Sequence, residues 1–267
     1  MKKWVKPILF GIIGLIFIVI SLFTPWYYLI IEIDYGDFSE ELHSEYTLRE
    51  VTNKTRLRNT EVITKDELND NQGLSVESAF WFTSNLVIFT TILIILFLVV
   101  FFIGDKKQNV FIMKGGIFIC TISILIALFA PFYLYMNLPR AFENDLENQD
   151  YSPISKNDYP GYAKQFFGKD TVQSSDMKSK TSWGGSIGWF LMIPTIITMI
   201  IANILARKQV FFLKDDKSKK EDMSIRNKNE VTSEFKCPKC GKEFDILDEK
   251  RPIEIKCPNC GVKGLIK

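Results

Sequence analysis

Residues 12–35 read IIGLIFIVISLFTPWYYLIIEIDY, and the organisation of the chain turns on them. Up to Phe23 the run is apolar on every side, as in a helix surrounded by protein core or by lipid. After Pro25 the pattern changes. Tyr27, Leu29, Ile31, Ile33 and Tyr35 are apolar, while Glu32 and Asp34 fall between them. A period of two belongs to a strand. Proline accounts for the break, because it removes a helical hydrogen bond and drives the residue before it toward extended geometry. The segment from Pro7 to about Pro25 is therefore expected to cross a bilayer and run directly into a β-strand.

Three more stretches have the same character: Ala79 to Ile103, Val110 to Ala130, and about Trp183 to Ala206. A hydrocarbon core of about 30 Å takes roughly 20 helical residues rising about 1.5 Å each. The second and fourth stretches hold no ionisable residue, and the third holds only Lys114, near enough to its start to snorkel. Although 24% of the 267 residues are charged, this clustering excludes a single water-soluble globule. The first stretch is too long for a signal-peptide core, and bulky Thr24-Pro25-Trp26-Tyr27 offers no cleavage site. It is read as a retained anchor.

Basic residues set the expected orientation. Lys2, Lys3 and Lys6 precede the first span, Lys106 and Lys107 occupy the turn between the second and third, and Arg207, Lys208, Lys214, Lys217, Lys219 and Lys220 come after the fourth. All lie on one side of a four-span protein, which puts both termini in the cytoplasm of a multi-pass cell-membrane protein. The formal charge of +2 then divides unevenly, with the outer segments carrying 19 acidic and 11 basic residues.

Residues 18–27 (IVISLFTPWY) and 124–133 (ILIALFAPFY) match at six of ten positions. The same offset carries the start of the second span onto the fourth, so the spans read as duplicated helix pairs, a parallel repeat of a kind found among transporters. The repeat raises the expectation that the chain after Pro131 (Phe132 to Met136) also becomes a strand. Trp26, Tyr27, Tyr28, Tyr133 and Tyr135 suit an interfacial aromatic belt. Asn85, Thr90, Thr91, Thr121, Ser123 and Asn203, with Gly184 and Gly188 spaced as GxxxG, read as helix-packing residues. Cys120 reads as inert filling.

The two outer segments, 26–78 and 132–182, are long for connectors. The first has strand-like pieces around Glu45–Val51 and Arg56–Ile63, so a small β-containing extracytoplasmic cap is expected, built mostly from it, with the second segment loopier. Acidic Asp37, Glu40, Glu41 and Glu45 read as solvated surface in preference to a Ca²⁺ site. Asn53-Lys54-Thr55 fits a glycosylation sequon. His43, the single histidine, has no nucleophile or second histidine beside it in sequence and reads as a surface residue. No cysteine lies in either outer segment, so the cap has no disulfide.

The C-terminal region carries the most specific motif. Cys237-Pro238-Lys239-Cys240-Gly241 and Cys257-Pro258-Asn259-Cys260-Gly261 leave sixteen residues between Cys240 and Cys257, a four-cysteine spacing typical of structural zinc. Four thiolates close a tetrahedron and leave no position for water, so one structural Zn²⁺ is expected, held by Cys237, Cys240, Cys257 and Cys260. So small a module buries little core, and metal binding supplies folding energy on the order of 10 kcal/mol. The motif resembles a zinc ribbon of the CPxCG type, with strands expected at 235–236, 243–247 and 253–256. On a small membrane protein rich in Ile, Lys, Asn and Phe, it resembles bacterial or archaeal proteins. The helix-into-strand layout and short inner turn resemble claudin-like four-helix proteins in topology alone. The paired cysteines of the claudin loop are missing here, so claudin function is not implied.

The expected fold is a membrane all-α bundle of four transmembrane helices with a β-containing cap and a C-terminal β zinc ribbon. The expected domains are 1–206 (spans and outer segments), a charged flexible linker at 207–234, and the ribbon at 235–267. Val210-Phe211-Phe212-Leu213 is placed to rest on the inner leaflet. No P-loop, GxSxG, HExxH or dinucleotide-binding pattern occurs, and no catalytic set is nominated. Three functions are compatible with the sequence: a non-enzymatic scaffold, accessory subunit or signal adaptor; a small transporter or channel subunit; and a membrane-tethered regulator binding nucleic acid. Expected partners are the lipid bilayer and proteins in the membrane or cytoplasm, with a homo-oligomer also open. The ribbon is only mildly basic and has no obvious pair of stacking aromatics, which places nucleic acid below a protein contact.

Overall fold

The structure is a computed structural model that describes residues 5–57, 60–68, 75–148, 159–173, 177–229, 233–246 and 253–266. Its four helices are α1 (Val5–Phe23), α2 (Ser75–Lys106), α3 (Val110–Asn148) and α4 (Ile187–Asn229). Each contains a window long and apolar enough to cross a membrane, with mean hydropathy from 2.1 to 3.3. The chain divides into two compact units, Met1–Val210 and Phe211–Lys267.

In the first unit α1 gives way to strand β1 (Tyr27–Asp34) after Pro25, where the change of period places the break. The last turn of α1 is closed by a side chain: the Trp26 indole N–H donates to the Ser21 carbonyl at 2.7 Å, meeting an acceptor that the helix end would leave orphaned. Strands β2 (Ser39–Tyr46), β3 (Glu50–Leu57) and β4 (Thr60–Glu67) continue as hairpins, and β5 (Gly168–Gln173) and β6 (Lys178–Gly185) come from the second outer segment. All six join one antiparallel sheet in the order β4-β3-β2-β1-β6-β5. The strand joined to α1 thus pairs with the strand leading into α4. Ser186 N–H donates to the Trp26 carbonyl at 2.9 Å and Gly188 N–H to the Pro25 carbonyl at 2.7 Å, so α4 starts where α1 ends.

Several expectations are corrected here. The strand-like piece at 45–51 straddles the turn between β2 and β3, and that at 56–63 takes in the end of β3 and the start of β4. Thr47 makes the first of these connections, accepting the N–H groups of Arg49 and Glu50 on its hydroxyl at 3.2 and 3.0 Å. The second outer segment is not merely loop, since it supplies β5, β6 and the extension of α3. No strand forms after Pro131: α3 runs through Pro131 and Pro139 to Asn148. The reason is packing. Leu134, Leu138, Ala141, Phe142 and Asp145 recur at helical spacing and are all buried, which outweighs the hydrogen bond lost at the proline.

Gly184 and Gly188 form no helix-packing motif, because Gly184 belongs to β6. Each lies under an aromatic ring instead. A Cβ on Gly188 would come within 2.4 Å of Trp26 Cδ1, and one on Gly184 within 2.6 Å of Phe167 Cδ1. Trp183, expected to begin the fourth span, is buried in β6 and donates its indole N–H to the Gln165 carbonyl at 2.8 Å. Trp26 and Tyr27 are likewise buried and do not form a belt. Tyr27 packs against Tyr46, Phe142 and Phe166 at centroid distances of 6.0, 5.8 and 5.2 Å, and Tyr46 stacks on Phe80 at 5.4 Å. This aromatic layer joins the sheet to the ends of α2 and α3. Asp145 adds a polar tie, accepting the Ser75 and Val76 N–H groups at 2.6 and 2.9 Å and capping α2 from α3.

Helices α2 and α3 form a hairpin turned at 107–109. Asn109 Oδ1 caps α3 by accepting the Phe111 and Ile112 N–H groups at 3.0 and 3.3 Å. The threonine hydroxyls in the helices bond locally. Thr83, Thr90, Thr121 and Thr195 donate to carbonyls four residues back in their own helices. Asn203 reaches across to the Thr121 hydroxyl at 3.0 Å, and the Cys120 thiol lies 3.7 Å from the Met199 carbonyl. His43 sits on β2, 3.5 Å from Glu45, and Asn53 lies mid-strand in β3. The charged stretch after Lys214 is helical to Asn229, not irregular as expected. No Gly or Pro occurs between Pro194 and Pro238, and Asp216–Lys220 and Lys217–Glu221 stand at i,i+4.

Candidate metal centre

In the second unit the cysteine knuckles form the turns of two hairpins, β7–β8 (Ser233–Lys236 and Glu243–Ile246) and β9–β10 (Ile253–Lys256 and Lys263–Ile266). Each hairpin is a separate two-stranded antiparallel sheet. β10 escapes the sequence reading because Gly264 interrupts its short apolar pattern, and Leu247 lies outside the described residues.

The two knuckles have matching geometry. Gly241 N–H donates to the Cys237 carbonyl at 2.8 Å, and Gly261 N–H to the Cys257 carbonyl at 2.9 Å. Cys237 N–H returns to the Lys242 carbonyl at 3.0 Å, and Cys257 N–H to the Val262 carbonyl at 2.8 Å. Gly241 and Gly261 both have φ of 72°, a left-handed backbone that a side chain would strain. The CPxCG spelling is therefore a geometric requirement: two cysteines on one turn, and a glycine where the chain reverses.

The turns bring the four sulfurs together. All lie within 4.8 Å of one another, with Cys237 to Cys260 and Cys240 to Cys257 each at 3.6 Å. A tetrahedral ion holding thiolates at about 2.3 Å separates its sulfurs by roughly 3.8 Å, so the donor set fits one metal ion. Cys237 and Cys257 are buried, while Cys240 is exposed and Cys260 half-buried.

The electrostatics point the same way. The Lys242 backbone N–H, then the Asn259 side chain, pulls the Cys240 thiol down to about 6. The N–H groups of Cys260 and Asn259 lower Cys257. At Cys260 the Val262 N–H also acts downward, but desolvation and the neighbouring Cys257, Cys240 and Cys237 outweigh it and raise that thiol to about 11. Four thiolates crowded this closely do not ionise together unless a cation neutralises them.

The four sequence-nominated ligands converge at this one place. Among the described residues no other group of three or more histidine, cysteine or acidic side chains is arranged to hold a metal, and Asp37, Glu40, Glu41 and Glu45 form no such cluster. Comparison with models of known protein families and with curated proteins finds no match for this chain.

Proposed function

We propose that this chain is a non-enzymatic multi-pass membrane protein, with its six-stranded sheet outside and its cysteine module in the cytoplasm as a zinc ribbon that docks partner proteins. The observation that carries this reading is the outward face of the helices. Large apolar side chains remain exposed along all four, including Ile16, Phe89, Phe111, Phe118, Leu125 and Ile197, with Phe111 85% and Phe118 66% exposed. A continuous apolar surface of this extent is foreign to a protein surrounded by water and natural to one surrounded by lipid.

Lys/Arg density supports the orientation. The cytoplasm's reducing conditions favour thiolate ligation over disulfides. Zinc is the preferred ion because a closed four-thiolate tetrahedron suits it and no open position is left for catalysis. A docking role is preferred to transport because the buried hydroxyls bond back to their own helices instead of lining a path.

Two measurements test the reading. The protein should remain with the membrane after an alkaline carbonate wash and carry one zinc per chain. Affinity capture from its own membranes should recover proteins that are lost with Cys240→Ser plus Cys257→Ser. Capture of the same set by both forms would remove the ribbon from the docking role.

A further inference from the structure

Where α1 and α2 approach the turn between β2 and β3, a cavity of about 690 Å³ combines three chemistries. Phe23, 78% exposed, and Trp81, 46% exposed, form an apolar side continuous with the outward helix faces. Arg49 supplies a guanidinium, and Glu50 and Glu67 supply carboxylates. Asn85 adds an amide from α2, one helical turn beyond Trp81.

Among the described residues Arg49, Glu50 and Glu67 make no ion pair, and the side chains of Trp81 and Asn85 make no hydrogen bond. Glu50 and Glu67 stand directly opposite each other in the β3–β4 register, where like charges are destabilising unless a cation lies between them. Asn85, expected to pack between helices, is exposed instead. It precedes Asp105, in the last turn of α2, by twenty residues, about one hydrocarbon thickness. An unpartnered amide there needs a polar group supplied from the lipid headgroup region.

We infer that this cavity binds one phospholipid with an amine-bearing headgroup from the outer leaflet. Its phosphate meets Arg49 and Asn85, its ammonium lies between Glu50 and Glu67, and its acyl chains run along Phe23 and Trp81. A zwitterionic amphiphile supplies the anion, the cation and the apolar tail that the three walls require. The assignment rests on the membrane placement proposed above.

The test is native mass spectrometry of the full chain, delipidated and re-equilibrated with equal amounts of phosphatidylethanolamine, phosphatidylcholine and phosphatidylglycerol. One phosphatidylethanolamine should be retained per chain, about tenfold in preference to phosphatidylglycerol, a difference of about 1.4 kcal/mol. Arg49→Ala should lose retention of all three lipids. Glu50→Gln with Glu67→Gln should keep a bound phospholipid and lose the headgroup preference, a result that mere unfolding would not give. Equal retention of the three lipids by wild type and Arg49→Ala would overturn the assignment. So would displacement by water-soluble glycerophosphoethanolamine at equal concentration. Release of the wild-type protein by an alkaline carbonate wash would instead sink the membrane placement, which keeps the two failures apart.

Discussion

Trp26 shows how much one side chain settles. It is fully buried, closes α1 through the Ser21 carbonyl, and covers Gly188 at the first turn of α4. Trp26→Phe should destabilise the fold by about 1–3 kcal/mol, because a buried acceptor is left unpaired. Gly188→Ala should cost at least as much, since its Cβ meets both the indole and the Pro25 carbonyl. Thermal melting in detergent reads both. The buried tyrosines predict alkaline sensitivity. Burial, then Tyr162 and Asp145, pushes Tyr46 up from 10.0 to about 12, and burial raises Tyr27 further in the same direction. The folded state therefore disfavours tyrosinate: stability is full below pH 10 and is lost as pH rises from about 10 toward 12. Tyrosinate absorbance should rise together with loss of the sheet, and titration of all tyrosines before any unfolding would contradict this. At the cysteines, Cys257→Ser should lower zinc affinity by more than the roughly 10–100-fold typical of outer-shell changes, measured by competition with a chelator.

Elements differ in how plainly the sequence announces them. The four long apolar helices are legible because an unbroken run of about twenty apolar residues is long enough for a helix and carries no turn signal. The strand after Pro25 is legible because its period changes. The cysteine site is legible because its spacing and glycines are themselves geometric requirements. The course of the chain beyond Pro131 is not. A local rule predicts a break there, whereas the buried face from Leu134 to Asp145 keeps α3 intact through contacts that only the sheet creates. The opposite edge of the sheet is obscured for a similar reason, since β5 and β6 are polar strands recruited by pairing with β1. The two prolines should therefore respond differently. Pro131→Ala should leave stability unchanged or raise it by about 0.5–1.5 kcal/mol as a helical hydrogen bond is restored, whereas Pro25→Ala, at a junction the fold uses, should lower it. Asp145→Asn should cost about 0.5–2 kcal/mol by weakening the cap on α2. Melting temperatures of the three variants check the ordering.

At the scale of the molecule, charge and apolarity are sorted along the chain. Apolar helices alternate with the mostly acidic segments that build the sheet and with basic segments at the other helix ends, and the four clustered cysteines come after α4. The proposed function assigns the sheet and the cysteine module to different compartments. The most direct test places a reporter thiol on the exposed strand β4, by Thr64→Cys, and applies a membrane-impermeant thiol reagent to intact cells whose zinc has been removed with a permeant chelator. The introduced thiol on β4 should be labelled at once, while Cys237, Cys240, Cys257 and Cys260 should react only after the membrane is opened. Labelling of the four native cysteines in intact cells would contradict it.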